Sequence, residues 1–499
     1  MKRYVPFLLP ALTLLFAAVF LFHRLGVHPL GKFDEARRAV NAFEMASGQA
    51  HPLVPTYAGL PDHWGTKPPL LVWLQSGSME LFGPTAFAVR FPSAIAGLLL
   101  VALLLYWGRR DWGTYLVGAL AAVYVLGNAE FMSSHGLRTG DFDALLTLFL
   151  TAQLCFLASY AERRDRCSLL LFGGALLLAG WTKGIAGCLF LPGVGLWLLG
   201  PSRIRLLARP APYIVGFVAL LLIAIYYPVR EMVDPGYLDL VWNNELGGRF
   251  GRSNEGHTGP WYFYLDALFF DEGALYLNLL LIPALLPLLH KPSAATRLIA
   301  LTAVAYLVII SVSATKIFWY KSPLLPLLGL LLGAGAERWW RDYRAGERRR
   351  AESLGFAVLL VVATLLALRV TWRQAHLHLP LRNFTAAVPT HYPAFTDPAF
   401  AGDRTLLLGD YQPEARFYAY AASAGGDSVG LAYTVLPPAG VGNLERSDIR
   451  FRVGEKVAVC TTPDWNFLHA RVEVRTLAQA ENCRLFEVTA LRPESATQE

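Results

Sequence analysis

Residues 31–70, GKFDEARRAVNAFEMASGQAHPLVPTYAGLPDHWGTKPPL, form a polar island between two strongly apolar runs. The island opens with the acids Asp34 and Glu35, continues with the cation Arg37, and ends near Lys67 and two prolines. If the flanking runs cross a membrane, the island is a loop at the bilayer surface. Ionisable side chains at membrane depth are costly and are therefore commonly functional or paired. Side chains of these types can bind a phosphate group.

The composition of the chain supports this membrane interpretation. The 499 residues are 55% hydrophobic and only 16% charged, whereas soluble proteins have about 45 to 50% apolar and about 25% charged residues. The formal net charge is +7, but the cations lie in short loops between apolar runs, and no nucleic-acid-binding module accompanies them. We therefore expect a polytopic membrane protein, mainly α-helical, that does not bind nucleic acid.

Apolar runs of about 17 to 22 residues indicate transmembrane helices. The first run follows Lys2 and Arg3 and lacks a small-residue cleavage site, so we predict an uncleaved helix and not a signal peptide. About 11 spans (11–13) are expected, and the candidate ranges are 5–25, 86–107, 112–131, 143–160, 168–181, 185–199, 211–229, 272–289, 297–313, 322–336 and 354–371.

The distribution of charge over the loops predicts which side each loop faces. With Lys2 and Arg3 inside, every second loop is short and basic, from Arg109 and Arg110 to the loop at 338–350, as the positive-inside rule requires. The opposite loops then share one outer face. They contain the chain's unusual polar residues: Asp34, Glu35, Lys67, Arg138, Asp141, Asp143, Lys183, His257, Lys316 and Lys321. We expect a functional site on that face.

The first outer loop, residues 26–85, contains two predicted amphipathic helices. The pattern of apolar positions predicts one helix over 35–47, with Gly48 as its C-cap, and a second over 67–82 that begins at paired prolines. Such helices lie in the plane of the membrane interface.

A composition change after residue 371 marks a second domain. We predict a transmembrane domain over 1–371 and a small α/β domain outside the membrane over 372–499. Its clearest elements are strands at 405–408 and 456–459 and a helix near 414–422. Cys460 and Cys483 fall in this domain, where an oxidising compartment would let them pair.

Two acidic motifs admit a functional and a structural explanation. Asp34 and Glu35 are candidates for proton transfer, but acids are also favoured in the first turn of a helix by its dipole. The sequence around Asp141 and Asp143, RTGDFD, can equally provide an N-cap and a solvated acid. Two acidic motifs on one face make proton transfer or cation handling more credible.

The cations of the outer face admit the same two explanations. Lys67 and Lys183 can extend to lipid headgroups, and the run KIFWYK that contains Tyr320 and Lys321 can belong to an interfacial aromatic belt. A lipid phosphate, however, needs Lys, Arg and Tyr donors of this kind.

Several motifs together resemble those of the bacterial lipid A aminoarabinose transferases and the related protein O-mannosyltransferases, which are C-type (GT-C) membrane glycosyltransferases. The motifs are the acidic pair with ARRAVNAFEMASG, then HPLVPTYAGLPDHWGTKPPLLVWL, FAVRFPSAIAGLL, RTGDFDALLTLF, WTKGIAG, HTGPWYFYL and TKIFWYKSPLLPLLGLLLGAG. They cover most of residues 30–335, and the first loop is the most specific part.

The resemblance implies a GT-C fold and an inverting transfer of a sugar. The donor would be a polyprenyl-phosphate sugar of the undecaprenyl-phosphate type, and the acceptor a hydroxyl or phosphate group of a lipid, glycan or protein. The protein would lie in the bacterial cytoplasmic membrane, with its active site and C-terminal domain in the periplasm. The alternative from another class is a transporter or flippase of polyprenyl-linked sugars, which would place charges along a midplane path.

The resemblance also implies roles for individual residues. Asp34 matches the acid that acts as general base or positions the acceptor, with Glu35 beside it, and Asp143 matches the second acid. Lys67 matches the lysine that contacts the carrier phosphate. The further candidates for phosphate binding are Arg37, Lys183, Tyr320 and Lys321.

No cofactor follows from the motifs themselves. His257 matches a histidine that can contribute to a divalent metal site in the aminoarabinose enzymes. The acid that precedes the phosphate-binding lysine in those enzymes is replaced by Thr66 in this chain.

Overall fold

The computed structural model describes residues 5–31, 33–200, 203–247, 251, 256–269, 275–290, 292–377, 390–409, 411–434 and 449–492. Lys2, Arg3 and Lys291, which we used to predict the orientation of the loops, lie outside the described residues. The chain forms two compact units. The first comprises residues 1–25, 66–71 and 90–384, and the second comprises 26–65, 72–89 and 385–499.

Helices make up most of the described chain. They are α1 Val5–Phe22, α2 Asp34–Ala46, α3 Leu70–Phe82, α4 Ala86–Trp112, α5 Tyr115–Leu126, α6 Ala129–Ser133, α7 Asp143–Arg163, α8 Arg166–Lys183, α9 Leu191–Leu198, α10 Pro210–Val233, α11 Tyr237–Val241, α12 Phe263–Phe269, α13 Leu275–Leu285, α14 Ala294–Val312, α15 Leu324–Arg344, α16 Arg350–Leu377, α17 Pro393–Thr396, α18 Pro413–Ala424 and α19 Thr462–His469.

Each of the predicted apolar ranges coincides with a helix or helix segment. Among the described residues, six helices are long and apolar enough to cross a membrane: α4, α7, α8, α10, α14 and α16. Shorter apolar helices occur at Phe7–Phe22, Tyr115–Leu126 and Leu275–Leu289. The chain is therefore a multi-pass membrane protein, and the count of about 11 spans stays a prediction.

Small residues let the helices of the first unit approach closely. A Cβ atom at Gly118 would lie 2.3 Å from the carbonyl oxygen of Leu104, and one at Gly333 would lie 2.5 Å from that of Val117. Membrane helices pack through such close backbone approaches because lipid provides no hydrophobic driving force between them. Helices α4, α5 and α15 are thereby held together.

The second unit contains a five-stranded sheet. Its strands are β3 Arg404–Leu408, β4 Val429–Tyr433, β5 Lys456–Val459, β6 Val472–Ala480 and β7 Cys483–Leu491, in the order β4-β3-β5-β7-β6. Strand β3 pairs in parallel with β4 and β5, whereas β7 pairs antiparallel with β5 and β6. The small α/β domain, with its two predicted strands and its helix near 414–422, is confirmed.

The first loop packs with the C-terminal residues in this second unit. Ala36, Ala39 and Val40 of α2 share a buried core with Phe417 of α18. The loop also contains a short hairpin, β1 Thr56–Tyr57 with β2 Leu60–Pro61, which the periodicity did not predict. The compact units therefore do not follow the predicted boundary at 371/372, because the apolar face of α2 is covered by α18.

A buried ion pair ties the loop to the C-terminal part of the same unit. The guanidinium of Arg37 lies 2.6 Å from the carboxylate of Asp62, whose side chain is fully buried. Arg37 also donates to the hydroxyl of Tyr411 at 2.7 Å, and Asn41 donates to Asp62 at 2.9 Å. Burial opposes ionisation of Asp62, but the charge of Arg37 prevails and holds the pKa of this carboxyl well below its usual range. Arg37 thus has a structural role here.

A disulfide joins Cys460, which directly follows β5, to Cys483, the first residue of β7. The predicted pairing is confirmed. The remaining cysteines, Cys155, Cys167 and Cys188, are free thiols.

We expect Asp62→Asn to destabilise the protein by about 3 to 5 kcal/mol, because it leaves the buried Arg37 charge without its counterion. The wild-type contribution is fully present above about pH 4 and is lost as the pH falls toward the lowered pKa of Asp62. Thermal unfolding of detergent-purified protein measures both effects. The control Glu487→Gln breaks the exposed pair with Arg475 and should cost less than about 1 kcal/mol. Equal effects of the two substitutions would contradict the assigned role.

Denatured protein should show three reactive thiols before reduction and five after it, because two of the five cysteines are bonded to each other. Gel-shift labelling with a polymer-linked maleimide in SDS counts them directly. Five thiols without reductant, in protein freshly isolated under non-reducing conditions, would refute the disulfide.

Candidate functional site

The centre of polar chemistry in the first unit is the ion pair of Asp143 and Lys183. Asp143 begins α7 and Lys183 ends α8, which are the helix ends where the helix dipole favours an acid and a base. The two helices are consecutive and pack together, so these two ends meet, with 2.6 Å between Nζ and Oδ1. Asp143 is 1% exposed, and its Oδ2 atom has no hydrogen-bond partner among the described residues.

An aromatic segment lies beside this pair. The Nζ atom of Lys183 is 5.3 Å from the ring centroid of Tyr320, which belongs to the 3₁₀ turn Phe318–Lys321. The hydroxyl of Tyr306 donates to the Tyr320 carbonyl at 2.9 Å and so fixes the turn. The structure therefore brings together three sequence-predicted residues: Asp143, Lys183 and Tyr320.

A histidine that sequence reasoning missed lies in the same unit. His135 pairs through Nδ1 with Asp141 and stacks on Trp319 with 3.6 Å between ring centroids. Burial opposes ionisation of Asp141, but the neighbouring His135 outweighs it and holds the pKa of Asp141 below its usual range. The positive φ of 51° at His135 was not visible in the sequence. Only the proximity of His135 to the RTGDFD motif could have pointed to it.

Lys321 contacts residues other than the Asp143–Lys183 pair. Its Nζ atom lies 2.6 Å from Glu130 and donates to the carbonyl oxygen of Ala267 at 2.8 Å. The side chain is only 3% exposed. These contacts favour a role for Lys321 in joining α6, α12 and the 3₁₀ turn.

Lys67 has a counterion that the sequence did not indicate. Its Nζ atom lies 3.1 Å from Glu245, and Thr66 donates its hydroxyl to the same carboxylate at 2.6 Å. The Thr66 carbonyl accepts from Tyr237 at 2.6 Å. Arg230 in turn lies 3.9 Å from the ring centroid of Tyr237. The backbone before Lys67 is thus anchored from α10 and α11.

Lys67 and Lys183 both line one cavity of about 610 Å³ in the first unit. Most of its surface is apolar, and the two lysines share it with the acids Asp239 and Glu245. The principal apolar lining residues are Leu220, Ile223, Ala224, Leu238, Val241 and Trp242. A cavity of this kind can hold an apolar chain and place an anionic group against the two ammonium groups.

The first-loop acids belong to the second unit. Asp34 is the first residue of α2 and is partly buried, and Glu35 accepts from the backbone N–H of Gly31 at 2.6 Å. Glu35 therefore stabilises the entry of the chain into α2, as the structural explanation of the motif anticipates. The role of Asp34 as general base stays a prediction.

The residues implied for a metal site do not fit one. Thr66 offers a hydroxyl where a carboxylate is needed, and that hydroxyl donates to Glu245. Within the described part of the chain, His257 belongs to no group of three or more potential metal ligands. Divalent cations prefer several carboxylate or imidazole ligands at one point.

The chain is similar in sequence to known membrane glycosyltransferases over the segment that contains these residues. Residues 66–227 match the family model described as dolichyl-phosphate-mannose-protein mannosyltransferase, and the matched segment contains Lys67, Asp143 and Lys183. The undecaprenyl phosphate-alpha-4-amino-4-deoxy-L-arabinose arabinosyl transferase of Aeromonas hydrophila is 30% identical over 260 residues, which are 50% of this chain and 46% of that protein. The chain thus spans about half the length of this curated relative.

Solved structures share the fold. The crystal structure of ArnT from Cupriavidus metallidurans bound to undecaprenyl phosphate matches with a TM-score of 0.70 at 16% identity, over 95% of this chain and 97% of that one. The archaeal oligosaccharyltransferase AglB of Archaeoglobus fulgidus, in complex with an inhibitory peptide and a dolichol-phosphate, matches with a TM-score of 0.51 at 14% identity, over 84% and 64% of the chains. The expected GT-C fold and the resemblance inferred from the motifs are confirmed.

We expect Asp143→Asn and Lys183→Met to be individually destabilising and strongly coupled, because each leaves one buried charge without its partner. The double variant should be more stable than the sum of the single effects by about 1 to 3 kcal/mol. Unfolding by SDS in mixed micelles gives the four free energies. The control cycle on the helical i,i+4 pair of Arg338 and Asp342, whose arginine is 43% exposed, should show a coupling of at most about 0.5 kcal/mol. Additive effects at Asp143 and Lys183 would show that the contact is not an energetic pair.

Proposed function

We propose that the protein is an inverting glycosyltransferase. It would move a sugar from a polyprenyl-phosphate donor to a hydroxyl or phosphate group of a lipid, glycan or protein, on the outer face of the bacterial cytoplasmic membrane. The observation that supports this proposal best is the largely apolar cavity that contains Lys67 and Lys183. An apolar wall with two cations suits a ligand that is a hydrocarbon chain with a phosphate at one end.

The cavity would bind both the prenyl chain and the phosphate of the donor. The prenyl chain would lie against the aliphatic residues of α10 and α11 and against Trp242, where burial of apolar surface is favourable. The phosphate would lie against Lys67 and Lys183, which provide charge-assisted hydrogen bonds. These two lysines lie at the start of α3 and the end of α8, whereas Lys321 is directed to Glu130. Tyr320 would act by supporting Lys183.

In the proposed reaction, the acceptor oxygen attacks the anomeric carbon as the bond from that carbon to the phosphate oxygen breaks. Negative charge then accumulates on the departing polyprenyl phosphate, and fixed ammonium groups in a partly dehydrated cavity stabilise it. An acceptor hydroxyl loses its proton to a carboxylate base. We assign this role to Asp34 on the match of its first-loop motif alone.

Asp143 would orient a reactant. Its Oδ1 atom is occupied by Lys183, but its buried Oδ2 atom has no partner among the described residues. Buried carboxylate oxygens are normally hydrogen-bonded, and an exception calls for an explanation. A hydroxyl of the sugar or of the acceptor would satisfy this atom, so that ligand binding completes the local hydrogen bonding.

The proteins to which this chain is similar support this proposal. The Aeromonas hydrophila relative is named for an aminoarabinose linked to undecaprenyl phosphate, and the Archaeoglobus fulgidus structure contains a peptide and dolichol-phosphate. These proteins have in common a polyprenyl carrier. The residues that would select the sugar and the acceptor are dispersed over many helices, and a shared fold does not fix them.

The test is release of free polyprenyl phosphate from a panel of polyprenyl-phosphate sugars, measured by mass spectrometry with purified protein in lipid nanodiscs and candidate acceptors. We expect Lys67→Ala and Asp34→Asn each to lower turnover by about 100-fold or more, because a phosphate-stabilising cation or the base is lost. The charge-matched control Asp266→Asn, at an exposed position, should retain wild-type turnover.

Normal turnover in either variant would remove that residue from the mechanism. Donor binding without release across the whole acceptor panel would favour the transporter alternative. Absence of donor binding would refute the proposed function.

A further inference from the structure

Glu245 lies where an anionic ligand of the cavity would have to bind. Its Oε1 atom is 3.1 Å from Nζ of Lys67 and accepts the Thr66 hydroxyl at 2.6 Å. All three residues line the same cavity of about 610 Å³. The carboxylate therefore already occupies part of the coordination of the lysine to which the proposed function assigns the carrier phosphate.

The local backbone around Glu245 is unusual. Residues Trp242–Leu246 form one turn of π-helix directly after α11. Single π-helical turns are rare and frequently mark functional sites. The turn places Trp242 and Glu245, three residues apart, on the wall of one cavity. Glu245 thus contacts Lys67, which lies 178 residues away in the sequence. It does so from a regular helical turn that lines the cavity.

The charges around the cavity nearly cancel. Two cations, Lys67 and Lys183, line it together with two acids, Asp239 and Glu245. Lys183 is further paired with Asp143 at 2.6 Å. Each lysine therefore retains a counterion in the absence of ligand, and the cavity has little excess positive charge with which to hold a doubly charged anion.

The donor and the product of the proposed reaction differ in charge at the phosphate. A polyprenyl-phosphate sugar is a phosphodiester with one negative charge, whereas the released polyprenyl phosphate is a monoester with about −1.5 to −2 charges near neutral pH, as for a protein phosphomonoester. Their prenyl chains are identical. A fixed carboxylate beside the phosphate position repels the second charge and leaves the singly charged diester less affected.

We infer that Glu245 is a specificity-determining residue that makes the cavity prefer the phosphodiester donor over the phosphomonoester product. This inference rests on the proposed function, because it takes Lys67 as a ligand of the carrier phosphate. Glu245 lowers the affinity for the product and thereby speeds its release. A purely structural counterion of Lys67 would affect both ligands alike or would act only on stability.

The test compares two probes that differ by one charge: undecaprenyl phosphate and its methyl diester. Quenching of tryptophan fluorescence in nanodiscs, with Trp242 on the cavity wall, gives both Kd values for the wild type and for Glu245→Gln. We expect the variant to bind the monoester about tenfold more tightly and the diester less than about threefold more tightly. In turnover assays, inhibition by added undecaprenyl phosphate should strengthen by about the same tenfold.

Controls separate this effect from general ones. Asp266→Asn removes one negative charge from the same unit outside the cavity and should leave both Kd values unchanged. Thermal unfolding of Glu245→Gln verifies that the variant is folded, and Glu245→Asp, which retains the charge, should preserve the wild-type ratio of the two Kd values.

The outcomes test the role of Glu245 separately from the proposed glycosyltransferase function. Equal tightening for both probes, or no change for either, would overturn the role of Glu245 and leave the glycosyltransferase assignment standing. Failure of the wild type to bind either probe would overturn the proposed function itself, and with it this inference.

Discussion

The cost of placing a charge in an apolar helical bundle is the constraint on which the first unit depends. Asp143 and Lys183 satisfy it because each lies at the end of a helix where the dipole favours its sign, and because the helices α7 and α8 bring the two ends within 2.6 Å. Either charge alone at this burial would destabilise the fold. The ion pair therefore joins the start of α7 to the end of α8, and Lys183 of this pair lies on the wall of the cavity.

The same constraint accounts for the acids that lie beside three predicted phosphate-binding cations in the described part of this unit. Lys67 has Glu245, Lys183 has Asp143, and Lys321 has Glu130. The pairs differ in whether the lysine lines the cavity. Lys67 and Lys183 both line the cavity. Lys321 is 3% exposed and bound to a carbonyl as well, so its charge is used within the fold. The proposed phosphate would therefore bind at the two cavity lysines, beside the carboxylate of Glu245.

The sequence predicted the components that depend on local pattern. Apolar length predicted the helices, and short β-rich runs predicted β3 and β5. Motif resemblance selected Lys67 and Asp143, and the charge pattern of the outer loops selected Lys183. The counterions escaped prediction because a pair such as Lys67 and Glu245 is separated by 178 residues and has no periodicity. Arg37 matched a phosphate ligand in type, but its partner Asp62 lies 25 residues away in a loop that shows no regular pattern. Residue type indicates what a side chain can bind, whereas only the fold decides which partner reaches it first.

The second unit explains why a loop near residue 30 and a domain beyond residue 390 belong together. Helix α2, which begins with Asp34 and Glu35, is amphipathic and too short to be stable alone in water. Its apolar face is covered by α18, and its cation Arg37 reaches both Asp62 and Tyr411. Leu30, just before α2, donates to the hydroxyl of Tyr418 at 2.8 Å. The C-terminal domain therefore fixes the place and direction of the helix that presents the first-loop acids, whatever else the domain binds. A substitution in α18 that loosens this packing would displace Asp34 without touching it. For this reason the C-terminal domain belongs to the proposed catalytic apparatus, although its sequence contains none of the motifs.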